Sequence, residues 1–166
     1  MASDDRVTLV NSEHAKWAQM ARKMAAQISE FLPLAKIEHI GSTAVPGMPA
    51  KAVVDIAVGM PADQIGDAAL MLTQHGFDIE GRRQDHAWLS YPDRSSRSFV
   101  IHVFEVHGAE WRKRLRFRDI LISDASSRER YLAAKQAAAA ASKGWGDYTR
   151  MKSSVVSEIL DADYSS

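Results

Sequence analysis

The sequence predicts an α+β or α/β domain: a leading helix, a small sheet with a crossover helix, and a C-terminal helical cap. Three observations carry this expectation. An apolar stripe at helical spacing opens the chain, short apolar runs separated by turn residues follow between positions 35 and 106, and from Ala109 onward the pattern becomes helical. With 166 residues, 46% hydrophobic and 25% charged, one domain with a sizeable core is the simplest organisation.

From Glu13 to Leu32, Trp17, Met20, Met24, Ile28 and Phe31 recur on one helical face, with Asn11 or Ser12 placed to cap it and Pro33 to end it. Ala35–Ile40 reads as a strand, and Ala52–Val58, apolar almost throughout, as a buried one. Pro61 starts a second helix that Gly76 stops. Phe77–Glu80, Ala87–Tyr91 and Ser98–Val106 are further strands, the last two joined by the polar turn "YPDRSSRS". Helices are expected over 109–123, 125–143 and 145–161, with Gly144 and Gly146 separating the last two.

Composition excludes several classes. The chain has no cysteine, so disulfide and thiolate chemistry are out and a zinc site would need His and carboxylate ligands. The N-terminus is acidic, unlike a signal peptide, and no apolar run reaches the roughly 20 residues a membrane helix needs, so a cytoplasmic protein is expected. A formal net charge of +0 conceals an asymmetry: between Trp111 and Lys152 eleven Lys/Arg stand against four Asp/Glu, a net of +7. Such a stretch suits an anionic partner, a nucleotide phosphate or RNA, or is simply a set of solvated helix faces.

The chemistry concentrates in "IEHIGSTAVPGMPAKAVVDIAVGM". Gly41 and Ser42 follow a strand, where a glycine lets backbone approach a ligand and a hydroxyl with nearby amides can hold a phosphate. Asp55 is set inside an apolar strand, and its same-face neighbours Val53 and Ala57 cannot bind metal. One carboxylate can hold Mg²⁺ with help from water and substrate phosphates, but it cannot build a two-metal clamp. Asp55 is therefore a weak metal ligand, a member of a polar pocket, or a structural acid bonded to loop amides. His102 in "SFVIHVFEV" faces Asp55 if their strands are neighbours; it is a phosphate contact, a base, a metal ligand, or a satisfied core histidine.

Basic residues interrupt the apolar seams of the C-terminal helices. Trp111, Leu115, Arg118 and Ile122 share a face, as do Tyr148, Lys152, Val155 and Ile159, and Tyr131 and Lys135 repeat the pairing one helix earlier. Long cations are rarely buried without partners, so Arg118, Lys135 and Lys152 either converge on an anion or on Asp55, or snorkel to water. No P-loop, HExxH, GxSxG or dinucleotide fingerprint is present.

Assembled in order, "EHAKW", "IEHIGSTAVPGMPAKAVVDIAV", "IHVFEVHGAEWRKRLRFRDIL", "YLAAK" and "YTRMKSSVVSEIL" resemble the GrpB family from about Glu13 to Leu160. The resemblance implies a nucleotidyltransferase-like fold, a small mixed sheet flanked by helices, with one acid where active nucleotidyltransferases have two. Some members are fused to dephospho-CoA kinase, which hints at nucleotide or CoA chemistry. It places the pocket at Ser42, Thr43, Lys51, Asp55, His102, Arg118, Lys135 and Lys152, beside Gly41. "RRQDHAWLSYPDRSSR" departs from the family pattern and is assigned no substrate contact. The functions that follow are nucleotidyl or related transfer to a small molecule, with Mg²⁺ and ATP or another nucleotide as candidate cofactors; a non-catalytic module binding a nucleotide, CoA-like or other anion; or ATP-dependent, ligase-like activation of an acid. RNA binding ranks below these, because the basic third shows no stacking platform.

Overall fold

The computed structural model describes residues 7–164. Helix α1 (His14–Phe31) leads into β1 (Lys36–Ile40), a short 3-10 turn at Ser42–Ala44, and β2 (Val54–Met60). Helix α2 (Ile65–Gln74), the hairpin strands β3 (Asp78–Arg82) and β4 (His86–Tyr91), and β5 (Phe99–Glu105) follow. The remaining chain is helical: α3 (Ala109–Ser123), α4 (Ala125–Ala141), α5 (Trp145–Met151) and α6 (Ser153–Tyr164). One five-stranded mixed sheet in the order β1-β2-β5-β4-β3 results, parallel between β2 and β5 and antiparallel elsewhere. The fold is α+β, as the pattern of elements predicts.

Strand alternation divides the sheet into two unlike faces. Val54, Ile56 and Val58 of β2 and Ile101 and Val103 of β5 are buried against Trp17, Ala21, Met24 and Ile28 of α1 and Ile65, Ala68, Ala69 and Leu72 of α2. Full burial of each large side chain in this layer contributes about 1.5–3 kcal/mol. The other face carries Asp55 and Ala57 of β2 and His102 and Phe104 of β5. Part of this face is closed where Ile40, Ala57, Phe104 and Trp111 pack together, Trp111 coming from the start of α3.

Three local expectations are corrected. The cap of α1 is Glu13, without a side-chain hydrogen bond, so neither Asn11 nor Ser12 caps it. The second helix starts at Ile65, because Pro61 is followed by a separate 3-10 turn at Ala62–Gln64. The last helix is two helices broken at Lys152, where the Ser153 hydroxyl donates to the Arg150 carbonyl (2.8 Å).

The α3 seam also differs from its periodicity. Ile122 is exposed and Leu121 is buried, because the helix changes support along its length. Trp111 and Leu115 lie on the sheet, while Phe117, Ile120 and Leu121 pack with Tyr131 and Ile159 of the cap.

Candidate functional site: a lysine-lined cavity over the sheet

Ile40, the last residue of β1, pairs with Asp55, so the chain leaving β1 passes directly over that carboxylate. Gly41 has φ of 76°, and a Cβ there would lie 2.6 Å from Asp55 Oδ2. Glycine is required by conformation and by the acid it covers. The two following hydroxyls are engaged: Thr43 with His39 Nε2 at 2.8 Å, and Ser42 with the Tyr131 phenol.

The parallel pairing of β2 with β5 sets Asp55 opposite Val100, which puts His102 one diagonal step away on the same face. His102 Nε2 stands 3.5 Å from Asp55 Oδ1. On the next strand, His86 Nε2 is 3.1 Å from His102 Nδ1. Burial pushes the Asp55 carboxyl up, but its contact with His102 and the nearby charges of Lys51 and Lys152 outweigh this and hold it below the usual carboxylate range. Burial lowers both imidazoles, His86 to about 3, so both are neutral at pH 7.

The helical cap supplies the opposite wall. Lys135 is 1% exposed and donates to the Pro49 carbonyl at 2.6 Å. Lys152 Nζ lies 3.3 Å from the Tyr131 hydroxyl and 4.6 Å from the centre of the Tyr148 ring; Lys51 lies 5.1 Å from the same ring. Lysines and tyrosines thus interleave, each ammonium resting on an aromatic face. Burial, reinforced by the mutual repulsion of the cations, lowers Lys135 and Lys51 to about 7; burial lowers Lys152 to about 8, against the pull of Asp55. The Tyr148 hydroxyl is fully buried and has no hydrogen-bond partner among the described residues.

Between these walls lies a cavity of about 630 Å³ lined by Gly41, Ser42, Thr43, Lys51, Asp55, His102, Lys135 and Lys152, together with both tyrosines. That volume suits a nucleotide-sized ligand. Arg118 is the exception among the residues assigned to the pocket. Its guanidinium turns to Glu38 (2.8 Å), Asp119 (3.0 Å) and the His39 carbonyl (3.1 Å), and it does not line the cavity. The physical reason is the change of support along α3, which directs Arg118 toward β1. Four residues earlier, Arg114 reaches the cavity and lies over the Phe104 ring at 5.5 Å.

The protein side chains alone do not complete a Mg²⁺ site, and Asp55 would share such an ion with water and ligand phosphates. Asp55 is the acid at this point of the cavity, one of its oxygens faces His102, and the side chains nearest in charge are lysines. Among the described residues no group of three His, Cys, Asp or Glu side chains could hold a metal ion.

A sequence model of the GrpB protein matches residues 6–162. The chain belongs to the GrpB family. A UPF0157 protein of Deinococcus radiodurans is 40% identical over 152 residues, covering 92% of this chain and 80% of that protein. A UPF0157 protein of Streptomyces coelicolor is 33% identical over 151 residues, covering 87% and 78%. The crystal structure of GrpB from Enterococcus faecalis superposes with a TM-score of 0.77 at 20% identity, over 95% of this chain and 99% of that one. The Cid1 poly(U) polymerase, solved with Mg and 3'-dATP bound, shares the fold at a TM-score of 0.55 and 15% identity, over 87% of this chain and 49% of that one. A nucleotidyltransferase-type fold is thereby established for this GrpB chain, and a fold alone does not fix the reaction.

Sequence reasoning missed the far end of the cavity, formed by Arg83, Asp85, His86 and Trp88 in the segment to which no contact was assigned. The signal was present in "HAWLSY", whose alternation sends His86 and Trp88 to the face of His102 once β4 is paired with β5. No helix among the described residues is long and apolar enough to cross a membrane.

Proposed function

We propose that this nucleotidyltransferase-like protein binds a phosphorylated small molecule of the nucleotide class in the cavity, with Lys51, Lys135 and Lys152 as anion contacts and without a protein-held metal. One observation carries the reading: these lysines converge on a cavity where Asp55 is the nearby acid, and that acid already faces His102. Burial drives the lysines toward loss of their protons, and an anion between them restores the charged forms. Ligand binding therefore takes up protons near pH 8, and affinity falls as pH rises through the lysine range.

The test is calorimetry with ATP and CoA, in EDTA and in Mg²⁺, on the wild type, Lys152→Ala and Asp55→Ala. Binding is expected in EDTA, weakened on the order of tenfold or more by Lys152→Ala, the scale of one charge-assisted hydrogen bond. Asp55→Ala is expected to retain binding. No heat with either ligand, on protein that melts cooperatively, would overturn the reading.

A second reading, transfer of a nucleotidyl or related group to a small molecule, is favoured by the fold shared with a poly(U) polymerase and by the Asp55–His102 pair beside the lysines. A strict requirement of ATP binding for both Mg²⁺ and Asp55 would favour it over the first. Ligase-like activation of an acid has no separate observation in its support.

A further inference from the structure

The phosphate reading leaves one end of the cavity without a role. There β4 and β5 place a row of rings on the sheet face: Trp88, His86 and Phe104, with centroids 5.0 and 4.5 Å apart, and His102 alongside. Trp88 is seated against the backbone of Gly81, where a Cβ would meet the ring at 1.9 Å, so the strand position needs glycine; the Arg83 guanidinium lies over the indole at 5.7 Å, and a base stacking on this ring displaces it or shares the face with it.

A string of polar contacts sets the polarity of this end. Asp55 is ionised and can only accept, and its Oδ1, 3.5 Å from His102 Nε2, favours the tautomer of His102 that carries Nε2–H. A neutral His102 then has a lone pair on Nδ1, which requires His86 to donate from Nε2 across 3.1 Å. A neutral His86 is left with a lone pair on Nδ1, and this nitrogen has no hydrogen-bond partner among the described residues. In this tautomer pair the string ends in an acceptor on a residue lining the cavity, beside an aromatic ring.

We infer that this end of the cavity is a base-recognition site, in which Trp88 stacks against an amino-bearing purine such as adenine and His86 Nδ1 accepts a hydrogen bond from its exocyclic amino group. The inference rests on the phosphate reading, because the same ligand must carry its anion to the lysines. It adds that Asp55 positions the acceptor from two side chains away, by setting the tautomers of both histidines. A planar base stacked on an indole gains affinity without regard to its edge, and the fixed lone pair supplies the discrimination.

The experiment compares ATP, purine riboside 5'-triphosphate, which lacks only the 6-amino group, and inorganic tripolyphosphate by calorimetry in EDTA. ATP is expected to bind about tenfold more tightly than the purine analogue, the scale of one unpaired buried acceptor. His86→Phe should bring that ratio to about one, by removing the acceptor while keeping the ring. Asp55→Asn should shrink the ratio too, because an amide can donate to His102 and let the whole string reverse. Thermal melting monitors the fold of both variants. Equal binding of ATP and the purine analogue, with tripolyphosphate also bound, would overturn the base site and leave the phosphate reading standing. Failure of all three ligands to bind would sink the phosphate reading and this one with it.

Discussion

The two faces of the central sheet are built from the same strands and do opposite work. Along β2, Val54, Ile56 and Val58 enter an apolar layer with α1 and α2, whereas Asp55 turns to a cavity whose other wall is lysine and tyrosine. The first face stabilises the fold by removing carbon from water; the second holds ionisable groups at a cost that the first offsets. The contrast teaches that a one-residue step along a strand separates stability from binding, and that each face can be perturbed without its partner.

The largest expected effect tests the apolar face. Ile56→Ala deletes fully buried carbon in the centre of that layer and should destabilise by about 3 kcal/mol in urea unfolding. At a temperature where the variant is folded, its affinity for ATP should match the wild type; a lost affinity would show that the faces are coupled. Next comes Gly41→Ala, which forces a side chain at φ of 76° onto the Asp55 carboxylate. It should cost about 2 kcal/mol and disturb the cavity as well, so it alone should register on both faces.

A smaller effect concerns pH. Lys51 and Lys135, near 7, and Lys152, near 8, have folded values below the unfolded value of 10.5, so the unfolded chain binds more protons between those limits. Ligand-free stability should therefore rise from about pH 7 toward pH 10, beyond which ionisation of tyrosines whose folded values are raised opposes it. Melting scans of the wild type and of Lys135→Met should differ in this slope, and a flat wild-type profile would refute the burial cost assigned to the lysines. The smallest effect is expected at Arg118. Replacing it by Gln removes the pair with half-exposed Glu38, worth at most about 1 kcal/mol, and should leave ligand affinity unchanged because Arg118 lies outside the cavity.

Much of this protein was legible in its sequence, for local reasons. Helical and strand periods located the five strands and the first four helices to within a few residues, and they marked Asp55, Lys135 and Lys152 as polar residues in apolar company. What failed was local too: no pattern near Asn11 or Ser12 reveals that Glu13 takes the cap, and the break at Lys152 has no glycine or proline to announce it.

The sequence by itself determined which side chains would be out of place in a core, because periodicity assigns faces and burial of charge demands partners. Only the tertiary structure decided which partners those were. The pairing of β2 with β5 brought His102 to Asp55, and the pairing of β4 with β5 added His86 and Trp88. The shift of α3 from sheet to helical support sent Arg118 away and brought Arg114 in. Strand order and helix support join residues far apart in the chain, and no local period encodes them.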